Sequence, residues 1–221
     1  MSVGVASTPI DLESLRVTKL ERAFYTRDAR VVARAMLGTY LVHAPRGSEA
    51  RAVRVVETEA YCGPKDLACH ARAGLTKRTR TLLGEPARAY VFLIYGMYDC
   101  FNVTCRARGS GHAVLVRGGE PVLGIAAGVR ADGPGKLTRA MGITRADDGA
   151  ELTGETLFLA ARRARPRVEV TARVGVGYAG EWADRPWRFV EEESGHASRP
   201  SRRSIGRGET EPPARIARRL R

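Results

Sequence analysis

The chain has 221 residues, 43% hydrophobic and 28% charged, and carries 37 lysines and arginines against 24 acidic residues, a net charge of +13. That length sustains one hydrophobic core, and that composition excludes a fibrous or wholly disordered protein. A charge this large favours a polyanionic partner, nucleic acid first, over a merely solvated basic surface.

The opening MSVGVASTPIDLESL lacks a basic stretch followed by an apolar run, so no signal peptide is expected, and no stretch is apolar enough to span a membrane as a helix. Cys62, Cys69, Cys100 and Cys105 form no C-x-x-C pair, so free buried thiols in a reducing cytoplasm are expected rather than a metal site. From Asp11, a good N-cap, Leu12, Leu15, Leu20 and Phe24 predict a short helical segment. Thr26 is the expected cap of a second helix, DARVVARAMLG, with Val31, Val32, Ala35 and Met36 as its apolar face and Gly38 as its stop. Strands are predicted near 39–43 and 52–59. The loop 62–88 is polar and basic, with Arg72, Lys77, Arg78, Arg80 and Arg88 against Asp66 and Glu85. Strands return near 89–94, 100–105 and 113–117, and EPVLGIAAGVR and PGKLTRAMGI read as helices. Beyond an Asp- and Gly-rich loop, further strands are predicted near 157–161 and 168–176. Two long helices cannot cover both faces of a parallel sheet. The expected fold is therefore a single α+β domain, residues 10–192, on a curved, mostly antiparallel sheet. Residues 193–221 turn Arg-, Ser- and Pro-rich and read as a basic, disordered tail. From Pro200 on, seven arginines less two glutamates leave +5, which suits loose polyanion binding and plain solvation equally.

Two nucleotide-like motifs fail on context, leaving no cofactor expected. GVGYAG at 175–180 is followed by EWADRPW, where Pro186 blocks the helix a dinucleotide fingerprint needs. GPGKL at 133–137 lacks the first glycine and the Ser/Thr of a Walker loop, although a helix start there suits a backbone phosphate. More informative is RVVETEAYCGP at 54–64. Period-two alternation puts Glu57 and Glu59 on the face that Val53 and Val55 use, so either they sit at a wet strand end or one is meant to be desolvated. In AYVFLIYGMYDCFNVT (89–104), Tyr90, Phe92 and Ile94 share one face. Tyr95 precedes Gly96 at a sharp turn, where an aromatic is either a core residue or a wedge for a base stack. Asn102 is either a bonded strand residue or a reader of a base edge. Arg117 ends HAVLVRG, either solvated or delivered to the edge that holds the glutamates.

RVVETEAYCGPKDLACHA, YVFLIYGMYDCFNVT, HAVLVRGGEP, GPGKLTRAMGIT and RVGVGYAGEW follow one another in order and near-register as in the alkyladenine (3-methyladenine) DNA glycosylase family, which the chain resembles over residues 15 to 190. The resemblance implies a positively charged face and hydrolysis of the N-glycosidic bond of alkylated or deaminated purines flipped from duplex DNA, in base excision repair. It implies Glu59 as general base, Arg117 as the arginine holding the attacking water and nearby phosphate, and Tyr95 as the intercalating wedge. Tyr61, His70 and Phe92 match the base-pocket wall, and Asn102 the residue obstructing guanine's exocyclic amine. Arg72, Arg80 and Lys136 are the candidate contacts to the DNA backbone. No lysine matches a Schiff-base nucleophile, so a monofunctional enzyme leaving an abasic site is expected, a cytoplasmic monomer needing no metal. The chain departs from the family pattern at Phe92, often tyrosine, at Leu82, methionine in some members, and at Tyr178, commonly histidine. The loop around 74–77 is about one residue short, and Asp99 puts a negative charge beside the wedge. One rival is a carbohydrate glycosidase using Glu57 and Glu59, whose spacing of about 7 Å suits an inverting pair. Another is a non-catalytic nucleic-acid binder.

Overall fold

The computed structural model describes residues 10–198. Asp11 caps α1 (Leu12–Val17) by accepting the Ser14 N–H at 2.8 Å. The helix does not run on to Phe24. The Leu20 N–H goes to the Leu159 carbonyl at 2.7 Å, drawing the backbone onto a strand before α2 (Arg22–Tyr25) begins. Asp28, not Thr26, caps α3 (Ala29–Met36), because its carboxylate reaches the Arg30 N–H at 3.0 Å. The buried stripe of α3 is Ala29, Val32, Ala33 and Met36, the i, i+3, i+4, i+7 positions, while Val31 faces solvent. Gly38 ends the turn at φ +80°, where a Cβ would meet the Ala164 carbonyl at 3.1 Å.

The strands are β1 (Tyr40–His43), β2 (Arg51–Cys62), β3 (Ala89–Ile94), β4 (Tyr98–Cys105), β5 (His112–Leu123), β6 (Leu157–Ala160), β7 (Val168–Thr171) and β8 (Arg188–Glu191). They form one antiparallel sheet in the order β3-β4-β5-β2-β1-β6, with β8 also on β2 and β7 on β8. β1 takes the first half of the free edge of β2, opposite Arg51–Arg54, and β8 takes the second, opposite Glu57–Glu59. The α+β architecture with a curled antiparallel sheet is thus as expected. The helix expected over 120–130 is not there. β5 continues to Leu123 with Glu120 opposite Arg54 and ion-paired to it at 2.7 Å, and Gly124 turns at φ +60° against Ala50. The strand expected over 168–176 stops at Thr171, because Arg173 is pulled into a buried ion pair. β8 has no counterpart among the expected strands; it is short and mixed, RFVE, and is held by pairing with β2 and β7.

α3 packs on β2, and α4 (Pro134–Met141) on β4 and β5. Leu41, Val53, Val55, Phe101, Val114, Val116, Leu137 and Leu159 are central to the core. β2 is covered on both faces, and every residue from 55 to 60 has zero exposure. No described helix is long and apolar enough to cross a membrane. Residues 193–198, assigned by composition to the tail, lie against the sheet, with Ser198 buried. The rest of that tail, 199–221, lies outside the described residues.

Candidate active site

The pairing of β2 with β5 slips in register around Val55–Thr58, an irregularity of the kind that re-aims side chains. Neither carboxylate is at a wet end: Glu57 and Glu59 are both completely buried. Burial of two carboxylates requires partners, and Arg117, itself buried, serves both. Its Nε donates to Glu57 Oε1 at 2.9 Å, and its Nη1 to Glu59 Oε2 at 3.5 Å. Glu57 also accepts from Arg188 Nε at 2.7 Å, from the Ser198 N–H at 2.6 Å and from Ser198 Oγ at 2.8 Å. Burial alone would raise the Glu57 pKa, but Arg117 and Arg188, with Ser198, outweigh it and hold the carboxyl below its usual range. Burial likewise disfavours charge on Arg117, and the two glutamates overcome it and raise its pKa. Glu59 has lighter company: Arg117, the Tyr61 hydroxyl at 2.9 Å and the Val174 N–H at 2.7 Å.

A second buried pair ties the loops together. Arg173 meets Asp66 with two hydrogen bonds, at 2.6 and 2.9 Å, and both side chains have zero exposure. Asp66 accepts the N–H groups of Cys62 and Ala68, while Arg173 donates to the carbonyls of Ala60 and Trp182 and stacks 4.8 Å from the Tyr61 ring. The loop after β2 and the loop after β7 are thereby locked at fixed separation.

Between these loops and the β3–β4 hairpin lies a cavity of about 670 Å³. Tyr61, His70, Phe92 and Asn102 all line it, Tyr95 and Tyr178 stand at its rim, and Arg117 and Val174 form part of its wall. Glu59 is one layer behind, touching Tyr61, Arg117 and Val174. Arg78, Arg117, Lys136 and Arg139 line the cavity, and among the described residues no carboxylate does. The His70 ring packs edge-on to Phe92 with centroids 4.7 Å apart, and its Nδ1 lies 3.0 Å from the Tyr90 hydroxyl. Burial, aided by Arg78, lowers its pKa to about 4, so the imidazole is neutral. The Asn102 amide nitrogen donates to the Tyr90 and Cys100 carbonyls, which fixes the side chain in the wall.

The β3–β4 turn is built differently. Tyr95 and Gly96 both have positive φ, +52° and +67°, and Met97 N–H closes the turn on the Ile94 carbonyl. Tyr95 is 78% exposed, which excludes the packing reading. A tyrosine held left-handed and solvated is locally unfavourable, a strain characteristic of functional positions.

Residues 23–195 match the family model described as methylpurine-DNA glycosylase (MPG). Over 185 residues, 83% of this chain and 88% of the relative, the chain is 52% identical to a protein of Anaeromyxobacter dehalogenans (strain 2CP-C) named “Putative 3-methyladenine DNA glycosylase”. Proteins with the same name in Myxococcus xanthus (strain DK1622) and Legionella pneumophila (strain Lens) are 49% and 43% identical, covering 83% and 82% of this chain and 97% and 98% of their own. The chain belongs to the methylpurine-DNA glycosylase family.

Most of the residues that the family resemblance singles out come together in this glycosylase fold: Glu59, Arg117, Tyr61, His70, Phe92, Asn102, Tyr95 and Lys136 all lie at or directly behind one cavity. Arg72 and Arg80 do not. Both are exposed away from the lining, with Arg72 donating to the Leu67 carbonyl. Lys136, in the first turn of α4, rests on Asp132 at 3.1 Å. Leu82 is buried in the pocket wall, not presented outward. Asp99 is ion-paired with Arg145 at 3.1 Å, which accounts for its charge beside the wedge. The sequence reading missed Asp66, Arg173, Arg188 and Ser198 as site residues. The one available signal was a pair of opposite charges, Asp66 and Arg173, inside two of the quoted motifs. Donor atoms of Asp28, Cys62 and His112 lie within 4.8 Å of one another, but Arg30 already bonds Asp28 and Arg106 already bonds His112, an arrangement that opposes a cation. All four cysteines are free, and burial raises the Cys62 pKa to about 12.

Proposed function

We propose that this glycosylase flips damaged purines out of duplex DNA into the cavity and hydrolyses the bond from N9 to C1′. The observation that carries this is the placement of Arg117 in the wall of an aromatic, cation-rimmed cavity, with Glu59 bonded directly behind it. Glu59 takes a proton from a water that attacks C1′, Arg117 orients that water and screens developing charge, and the bond electrons leave with the base. Phe92, His70 and Tyr61 stack on the extruded purine, and Asn102 obstructs a guanine amine. Tyr95 fills the vacated stack, which lowers the cost of flipping. Arg72, Arg80 and Lys136 contact the backbone, and the basic segment following the domain adds sequence-independent affinity.

The enzyme acts as a monofunctional cytoplasmic monomer. Among the described lining residues, Lys136 is the one lysine, and it is bonded to Asp132 rather than directed into the cavity as a nucleophile. A paired-carboxylate sugar hydrolase is disfavoured because Glu57, held ionised by two arginines, has no proton to give. Incubation with methylated duplex DNA, followed by chromatography of the supernatant, tests the reading. Free methylpurine with an uncleaved, alkali-labile strand supports it. Strand scission, or a borohydride-trapped adduct, would show a lyase instead, and binding without base release a non-catalytic protein.

A further inference from the structure

The chain does not leave the site at the end of β8. After Glu191 it turns through Glu193, at φ +61°, and crosses β5 at Gly118, where a Cβ would stand 2.8 Å from the His196 carbonyl. The crossing delivers Ser198, 8% exposed, to the buried charges. Its N–H and hydroxyl donate to the two oxygens of Glu57 at 2.6 and 2.8 Å, its hydroxyl accepts from Arg117 Nη2 at 3.3 Å, and its carbonyl accepts from Arg188 Nη2 at 3.3 Å. Every polar group of this serine is therefore spent on one cluster.

Arg117 is shared between two carboxylates, and only one belongs to the proposed chemistry. A guanidinium so placed drifts to whichever partner is less satisfied. Glu57, saturated by Arg188 and Ser198, fixes the Nε end of Arg117 and leaves Nη1 directed at Glu59. We propose that Ser198, carried by the strap over Gly118, is a positioning residue that sets Arg117 for the water-activating step. This rests on the glycosylase reading above. The segment that composition assigns to a solvated tail thus begins inside the active site.

Single-turnover base release from a methylated duplex at saturating enzyme, beside equilibrium binding and thermal melting, tests this in the full chain. Ser198→Ala keeps the N–H but loses the hydroxyl that links Glu57 to Arg117. Displacing a preorganised group by a fraction of an ångström costs rate steeply, so base release should fall at least about ten-fold with lesion affinity unchanged. Ser198→Thr, which restores the hydroxyl, should recover most of the rate. If Ser198→Ala fails to fold, Gly118→Ala addresses the same junction, pressing on the His196 carbonyl at 2.8 Å and on Glu57 at 3.3 Å, and should lower the rate constant likewise with lesion affinity unchanged. An active wild type with an unaltered Ser198→Ala rate, a Thr variant no better than Ala, or a loss explained wholly by affinity overturns the proposal alone. A wild type that releases no base overturns the glycosylase reading itself.

Discussion

The floor of the cavity and its rim are built on opposite terms. Just behind the floor, the four oxygens of Glu57 and Glu59 all accept hydrogen bonds, and five residues (these two with Arg117, Arg188 and Ser198) form one network at almost no exposure, which Tyr61 and Val174 join to the cavity. At the rim, Tyr95 is exposed and held in a left-handed turn, and Met97 beside it is exposed too. A buried charge network cannot adjust during a reaction, so it suits the place where charge must meet a fixed field. An exposed aromatic on a two-stranded turn is free to meet a duplex whose geometry varies. Rigidity is concentrated where bonds break and exposure where DNA must enter.

The contrast breaks most severely at Glu57. Glu57→Gln should cost about 3–5 kcal/mol, because it leaves Arg117 and Arg188 buried with one carboxylate fewer. Thermal unfolding should show the midpoint lowered by roughly ten degrees. An unchanged midpoint would mean that the network is not what holds the floor.

Glu59→Gln separates structure from chemistry within the same floor. The amide still accepts from Tyr61 or Val174 but takes no proton from water. Base release should drop at least about 100-fold, the usual weight of a general base. Lesion binding should stay within a few-fold. If Glu59→Gln keeps its rate while Glu57→Gln, refolded at low temperature, loses it, the base has been assigned to the wrong carboxylate.

Tyr95→Ser tests the rim. An exposed residue leaves little stability to lose, so the melting point should stay within about two degrees of wild type. Lesion preference should weaken by about 1–3 kcal/mol, most where the damaged base still pairs well. A midpoint depressed by ten degrees would make Tyr95 a packing residue after all.

How far the sequence could be read follows the same division. Alternation over β2 and β3, and the continuous apolar run of β5, exposed the strands that carry the site, because these strands are long enough to show a pattern. Alternation also flagged two carboxylates on an apolar face. It could not say which partners would neutralise them. Arg188 sits on a four-residue strand, and Ser198 in a segment whose composition resembles a linker. Arg173 was read as part of a strand, although its pairing with Asp66, 107 positions away, ends that strand. The helix expected over 120–130 failed because cross-strand pairing of Arg54 with Glu120 outweighed local propensity. Exposure of Tyr95 was left open by spacing and decided by backbone sign, which a single sequence does not display. Family resemblance supplied the roles of Glu59 and Arg117, but not the network that makes them possible.

The smallest expected effect is a titration between floor and rim. His70 is wedged against Phe92 and the Tyr90 hydroxyl, and burial, with Arg78 nearby, lowers its pKa to about 4 from an ordinary value of 6.5. The folded protein therefore keeps this ring neutral at pH 5.5, whereas the unfolded chain takes up the proton. His70 favours folding fully above pH 6.5, and its contribution is lost as pH falls from there towards 4, where the folded ring also charges. The neutral ring matters to the proposed pocket because an imidazolium beside Arg78 would repel a cationic alkylpurine, while a neutral ring stacks on it. Base release should thus show no loss assignable to His70 between pH 7 and 5.5. Proton NMR of the His70 ring should show a midpoint near 4. A midpoint near 6.5 would mean that water reaches the ring, and the pocket wall would then belong with the solvated rim rather than with the floor.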